Sequence, residues 1–402
     1  ASSLEEMQAL VGVSSYDEYK QIYGDPDDPN VSVSGLPVIK NDVINDIIAA
    51  SSNAVVVSAS EQCLESMISD QSNWATFGEE NLNTAVYLPA TGSTSWSFNI
   101  PENASSYYRI KLEYYNPITG ESSISSIERK LLIDGKPAYN EASNITLTKF
   151  WEYTNYTVSD PVPAPAGAVD GTTVRYDYKN EEGYYHKIVE TVKDGMLTTT
   201  TYTITSDING NSMAPAFEEI SQWNTYYVQD STGYHQNYLN FFFAYGSHQL
   251  TLVAEREPVI IKSIELIPYE PDASLIKSYE EVKAEYIANG YQSASGALEN
   301  VVLQGEFPSL VSDSSVYPTN DNSSSANFPS TPSAQLYNVI GENSYDTMGQ
   351  WAAYTFTVNE SGLYKIGARY LQSQLQGMYI CRALKLTGGH YGETPTVPFA
   401  EA

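Results

Sequence analysis

Bulky and polar residues alternate along much of this chain with the period of half-buried strands. Ser93–Ile100, 107–115 and Ile127–Ile133 read this way, as do 239–245, 249–254 and 259–267, and Ala54-Val-Val-Val57 opens the series. Within Ser93–Ile100 the pattern assigns Phe98 to the core and Trp96 to the opposite face. Ile127–Ile133 runs into Asp134-Gly135, a pair suited to a tight hairpin turn. Two segments have helical spacing. In 3–23, Ser3 can cap a stripe of Leu4, Met7, Leu10 and Val11 that continues to Tyr16, Tyr19 and Tyr23, before Gly24-Asp-Pro breaks it. A second short helix is expected over 41–50. Short strands, turn residues between them and no long intervening helix predict a mostly β fold, an antiparallel sandwich of jelly-roll type rather than a βαβ unit.

One piece stands apart. After the stiff Pro161-Val-Pro-Ala-Pro-Ala166, three amphipathic strands at 172–178, 184–192 and 196–204 are joined by Asn180-Glu-Glu-Gly183 and Lys193-Asp-Gly195. They predict a β-meander inserted over 171–205. Beyond it the chain echoes itself. Ser278-Tyr-Glu-Glu-Val-Lys283 repeats Ser15-Tyr-Asp-Glu-Tyr-Lys20, Tyr354-Thr-Phe parallels Trp96-Ser-Phe98, and Cys381-Arg-Ala-Leu-Lys-Leu parallels Glu128-Arg-Lys-Leu-Leu-Ile133. With the closing Glu141-Ala142 echoed by Glu401-Ala402, four landmarks in one order predict a tandem organisation. It comprises a helical segment 1–50, a first sandwich 51–270, a helical linker 271–295, and a second, incomplete sandwich 296–402. Because the second copy stops on its last landmark, further domains are expected beyond residue 402.

Composition narrows the partners. The chain has 402 residues, enough for two or three full cores, and 33 tyrosines against 11 phenylalanines, aromatic surface that wants one wet edge. A formal charge of −29 excludes phosphate backbones and anionic membranes as partners, since these are gripped by Lys and Arg. No apolar run is long enough to span a membrane. The two cysteines, Cys63 and Cys381, are too few for a disulfide framework and are expected as buried thiols. The lack of a signal peptide at residue 1 is expected to reflect a processed or trimmed N-terminus and bears little on destination.

The order of helix, Trp96-Ser-Phe-Asn-Ile-Pro-Glu102, Glu128-Arg-x-Leu-x-Ile-Asp-Gly-x-Pro137, Asp207-Ile-Asn-Gly-Asn211, Asp230-Ser-Thr-Gly-Tyr234 and Glu255-Arg-Glu-Pro258 resembles one bacterial group. It is similar to the tandem galactose-binding-like sandwiches that precede the solute-binding domain in large sugar-transport lipoproteins of Gram-positive bacteria. Their fold is shared with carbohydrate-binding modules of families 6 and 35. The resemblance implies a noncatalytic module facing glycans outside the cell or at its surface. It also implies a structural Ca2+ near the start of the first strand, with Glu61 and Glu306 at that position. Thr387 replaces Asp134 in the second copy, and the meander is extra to the pattern.

Candidate chemistry follows the aromatic residues. Sugar binding needs flat aromatic faces with amides or acids beside them. The richest cluster is Trp223, Tyr226, Tyr227 and Tyr234, in a stretch that reads as a turn between strands; Trp151 and Tyr153 form a second. Trp151 and Trp223 stand equally as seals on the sandwich core. Trp74, in a loop of one copy only, is a weaker candidate. Asp207-Ile-Asn-Gly-Asn211 has half the pattern of a calcium loop and equally reads as a turn. None of the four histidines has ligand spacing, and no nucleophile elbow, HExxH or phosphate loop occurs, so the chain is expected not to be an enzyme. The expected function is glycan binding by aromatic-lined loops. The alternative is a structural or adhesive spacer, in which those rings pack on other protein domains.

Overall fold

The computed structural model describes residues 15–26, 39–41, 47–48, 55–58, 84–118, 124–179, 184–230, 234–235, 237–269, 278–291, 301–324, 326–347, 349–356, 364–372, 382, 384, 386–387 and 396–397. They fall into two compact units, one of 1–269 with 302–357 and the other of 270–301 with 358–402.

The first unit is built on an antiparallel sandwich. One sheet runs Trp223–Tyr227, Ser106–Tyr115, Val259–Pro268, Thr84–Leu88, Val55–Ser58, with Asn240–Phe243 also on Ser106–Tyr115 and Ile39–Asn41 on Val259–Pro268. The other runs Ile47–Ile48, Ser93–Ile100, Gly246–Arg256, Ile127–Ile133, Asn144–Leu147. Alternation supplies the core from both: Leu112, Tyr114, Ile264 and Leu266 from the first sheet meet Trp96, Phe98, Leu250 and Leu252 from the second in one buried cluster. Trp96 is therefore core, not on the face opposite Phe98. Residues two apart on a strand share a face, and Trp96 has 0% exposure.

The stretch at 127–142, echoed later in the chain, proves architectural. Asp134 and Gly135 both have positive φ, 52° and 82°, closing a two-residue hairpin between Ile133 and Lys136. The Asp134 carboxylate accepts the Gln249 N–H at 2.8 Å and contacts His248 Nδ1 at 2.7 Å. Arg129 is buried, and its guanidinium donates to the carbonyls of Glu128 and Arg256, both at 2.8 Å, and of Leu88 and Pro89, both at 3.4 Å. It thereby ties three chain segments together. Glu141 Oε2 accepts the Tyr16 N–H at 3.0 Å at the head of the helix Tyr16–Tyr23, whose Ser15 side chain caps Glu18 N. Tyr16 and Tyr19 are buried in the sandwich core.

The meander forms as expected, with strands Gly171–Lys179, Tyr184–Lys193 and Met196–Ile204 and a second Asp-Gly turn at Asp194 (φ 52°) and Gly195 (φ 73°). The proline-rich piece is not merely a connector, since Val162–Pro163 and Tyr156–Val158 both pair with Met196–Ile204. The expected helix over 41–50 is corrected. Ile39–Asn41 and Ile47–Ile48 are strands on Val259–Pro268 and Ser93–Ile100, where β-branched residues fit the pleat. Of the helix over 3–23, the part before Ser15 lies outside the described residues.

The second half departs most from expectation. Residues 302–357 complete the first unit: Leu310–Val311 pairs with Phe150–Tyr153 and with Ala352–Ala353, forming a four-stranded sheet with Phe217–Ile220. Val311 and Val316 bury Trp151, and Phe307 packs on Ile204 together with Tyr176 and Tyr202 of the meander and with Tyr337. The division at 295/296 is thus not where the structure divides. Trp96 sits in a buried strand, whereas its sequence counterpart Tyr354 lies outside any strand. Among the described residues of 302–397 no strand exceeds two residues, and a second pair of sandwich sheets is not among them. The second unit has the helix Tyr279–Ala288, closed by a Ser278/Glu281 capping box, and the pairing of Leu386–Thr387 with Thr396–Val397.

Candidate functional site

The strand Trp223–Tyr227 lies along Ser106–Tyr115, so the loop expected there is an edge strand instead. Asn224 and Tyr226 pair with Tyr114 and Leu112, which point into the core. Alternation therefore turns Trp223, Thr225 and Tyr227 outward, beside Tyr115, Glu113 and Lys111. Trp223 and Tyr227 stand four residues apart on one face, about 13 Å at the rise of a strand.

Charged pairs fill the face between and beside them. Lys262 Nζ lies 2.7 Å from Glu113 Oε1 and 5.4 Å from the centre of the Trp223 ring, which also tilts against Tyr115 at 5.3 Å. Lys111 Nζ meets Glu265 Oε2 at 3.0 Å. Partial burial pulls the Lys111 ammonium down, but the hydrogen bond and charge of Glu265 outweigh it and hold its pKa above the ordinary lysine value. At the far end Tyr227 stacks on Tyr238, centroids 4.7 Å apart and planes at 22°. The Arg109 guanidinium lies 5.7 Å from the Tyr238 ring and 5.0 Å from the Tyr269 ring. Tyr238 is 41% exposed and Tyr234, a few residues earlier, 87%.

Three expected contacts are not ligand surface. Tyr226 packs against the core and burial raises its phenol pKa, while its hydroxyl meets the backbone of Gln229 and Thr146. Trp151 and Tyr153 have 5% and 2% exposure because their strand is flanked by Phe217–Ile220 and Leu310–Val311. The Tyr153 hydroxyl donates to the Thr203 carbonyl. Trp74, Glu61 and both cysteines lie outside the described residues. Lys111, Glu113, Arg109, Lys262 and Glu265 escaped notice from sequence; the outward positions of Ser106–Tyr115 could have flagged the first three once the strand was recognised.

Glu306 is buried, at 1% exposure, with Tyr176 accepting the Gln304 N–H and Tyr354 donating to the Gly305 carbonyl nearby. Calcium takes about six to eight oxygen ligands. Among the described residues no group of three Asp, Glu, His or Cys side chains could hold a metal. The Asp207 carboxylate is committed to its own turn: it accepts Asn209 N, Asn211 N and Asn211 Nδ2, hydrogen bonds that draw its pKa below the usual carboxylate value.

No protein-family model matches the chain, and no curated protein matches it. Among solved structures it is similar to the catalytic domain of GH87 alpha-1,3-glucanase in complex with nigerose, at 10% identity and TM-score 0.25, over 58% of this chain and 28% of that one. A substituted form of that domain, also with nigerose, gives 10% identity and TM-score 0.24 over 65% and 31%. The chain thus spans less than a third of those chains. Both neighbours are catalytic domains, contrary to the expectation that the chain is not an enzyme, and that expectation is not kept. At these TM-scores the likeness carries no argument about its chemistry.

Proposed function

We propose that this chain binds glycans along the outward face of its seven-stranded sheet. The observation that carries the reading is the shared orientation of Trp223 and Tyr227 on one edge strand, with hydrogen-bonding side chains between them. An aromatic face accepts the C–H surface of a pyranose, and the neighbouring carboxylates and ammonium groups meet hydroxyls. Spacing of this kind suits a chain of sugars rather than a single ring. The spacer reading draws on the burial of Trp151 and Tyr153, which removes one aromatic cluster from the surface. The exposure of Tyr234 and Tyr238 favours the glycan.

Calorimetry and affinity gels with a panel of soluble polysaccharides test the proposal. Retention on at least one, weakened about fivefold by Trp223→Ala or Tyr227→Ala, is the expected result for rings each contributing about 1 kcal/mol. Folded protein that no polysaccharide retards, or retention indifferent to both substitutions, counts against it. Released reducing sugar, measured in the same incubations, reports whether the bound chain is also cleaved.

A further inference from the structure

We infer that the glycan taken by this face is uncharged, and that Glu113 and Glu265 set that preference. The inference rests on the glycan-binding reading above and names its ligand class. On the strip between Trp223 and Tyr227, each lysine already has a carboxylate: Lys262 has Glu113 at 2.7 Å and Lys111 has Glu265 at 3.0 Å. Arg109 is held between the rings of Tyr238 and Tyr269. The pairs are partly open to solvent, with side-chain exposures of 41% and 29% for Lys262 and Glu113 and 28% and 13% for Lys111 and Glu265. Ion pairs this exposed contribute little to stability. Their larger effect is on the potential of the face, which they bring near neutrality while leaving donors and acceptors for hydroxyls. A uronic or sulfated polymer would find both lysines of this strip already paired with carboxylates and would approach a chain of net charge −29.

The test uses one neutral polysaccharide retained by the intact protein and its carboxymethylated derivative, titrated at low and high salt. Binding to the derivative is expected to be about tenfold weaker or more at low salt, the gap narrowing as salt screens the repulsion. Glu113→Gln with Glu265→Gln frees both lysines, and this double variant is expected to gain affinity for the anionic polymer relative to the neutral one. Should the double variant fold poorly, Glu113→Gln alone, next to the more exposed lysine, carries the same expectation. Equal affinity of the intact protein for both polymers, or no gain of anionic binding in a folded variant, overturns this inference and leaves the glycan reading standing. Retention of the intact protein on neither polymer, nor on any other of the panel, overturns both.

Discussion

Arg129 shows how one side chain can account for a motif that sequence alone presents as a signature. Its charge is buried without a close carboxylate; burial pulls the guanidinium down to about 10, with Tyr87 and Glu257 offsetting part of that. What holds it is the set of four carbonyls from 88–89, Glu128 and Arg256. Arg129→Met keeps most of the volume and removes every donor. Leaving buried acceptors unsatisfied costs about 1–3 kcal/mol each, so a loss of about 3 kcal/mol is expected in denaturant unfolding. Tyr139→Phe is a milder case. The phenol is fully buried and donates to the Asn240 carbonyl at 2.9 Å, and its loss should cost about 1 kcal/mol. If Arg129→Met unfolds at the wild-type denaturant concentration, the clamp has no energetic role.

At the scale of elements, the strands were legible wherever one face is wet. Ser93–Ile100 and Ile127–Ile133 keep their expected limits, and Met196–Ile204 emerges with its turn because Asp-Gly is a local instruction. Phe150–Tyr153 and Trp223–Tyr227 were not legible as strands. Phe-Trp-Glu-Tyr and Trp-Asn-Thr-Tyr-Tyr look like loop aromatics until their partners, distant in sequence, are in place. For the same reason the outward direction of Trp223 could not be separated from the inward direction of Tyr226. The echo between the two halves was also read too far. Similar local sequence gives a Ser-capped helix at both Tyr16–Tyr23 and Tyr279–Ala288, but the segment after the second helix, 302–357, is recruited into a sheet of the first unit. This recruitment is testable. Val311 has 0% exposure against Trp151, so Val311→Asp buries an unpaired carboxylate. A loss of more than about 3 kcal/mol and a red shift in tryptophan emission are expected. Val158→Asp, on an edge strand at 56% exposure, should change stability by less than about 0.5 kcal/mol.

For the whole molecule the abundant tyrosines set a limit on alkaline stability. Burial raises the phenols of Tyr19, Tyr107, Tyr139, Tyr153, Tyr226 and Tyr354 above the ordinary value near 10. A group whose folded pKa is raised contributes stability that is present below its unfolded pKa and lost as pH climbs past it. Unfolding is therefore expected to set in above about pH 10, with tyrosinate absorbance and loss of β-sheet circular dichroism rising together. Tyrosinate appearing well before the sheet signal falls would contradict this. The net charge of −29 adds a second expectation: moderate salt should raise the melting temperature by screening self-repulsion. Finally, the pairing of Leu310–Val311 with Phe150–Tyr153 bears on biosynthesis. During translation the earlier strand leaves the ribosome well before its partner exists, and waits with an unoccupied edge and an uncovered indole. Such delayed closure slows maturation and favours association between nascent chains, so recovery of native protein should depend on chaperone supply and on how fast the chain is made.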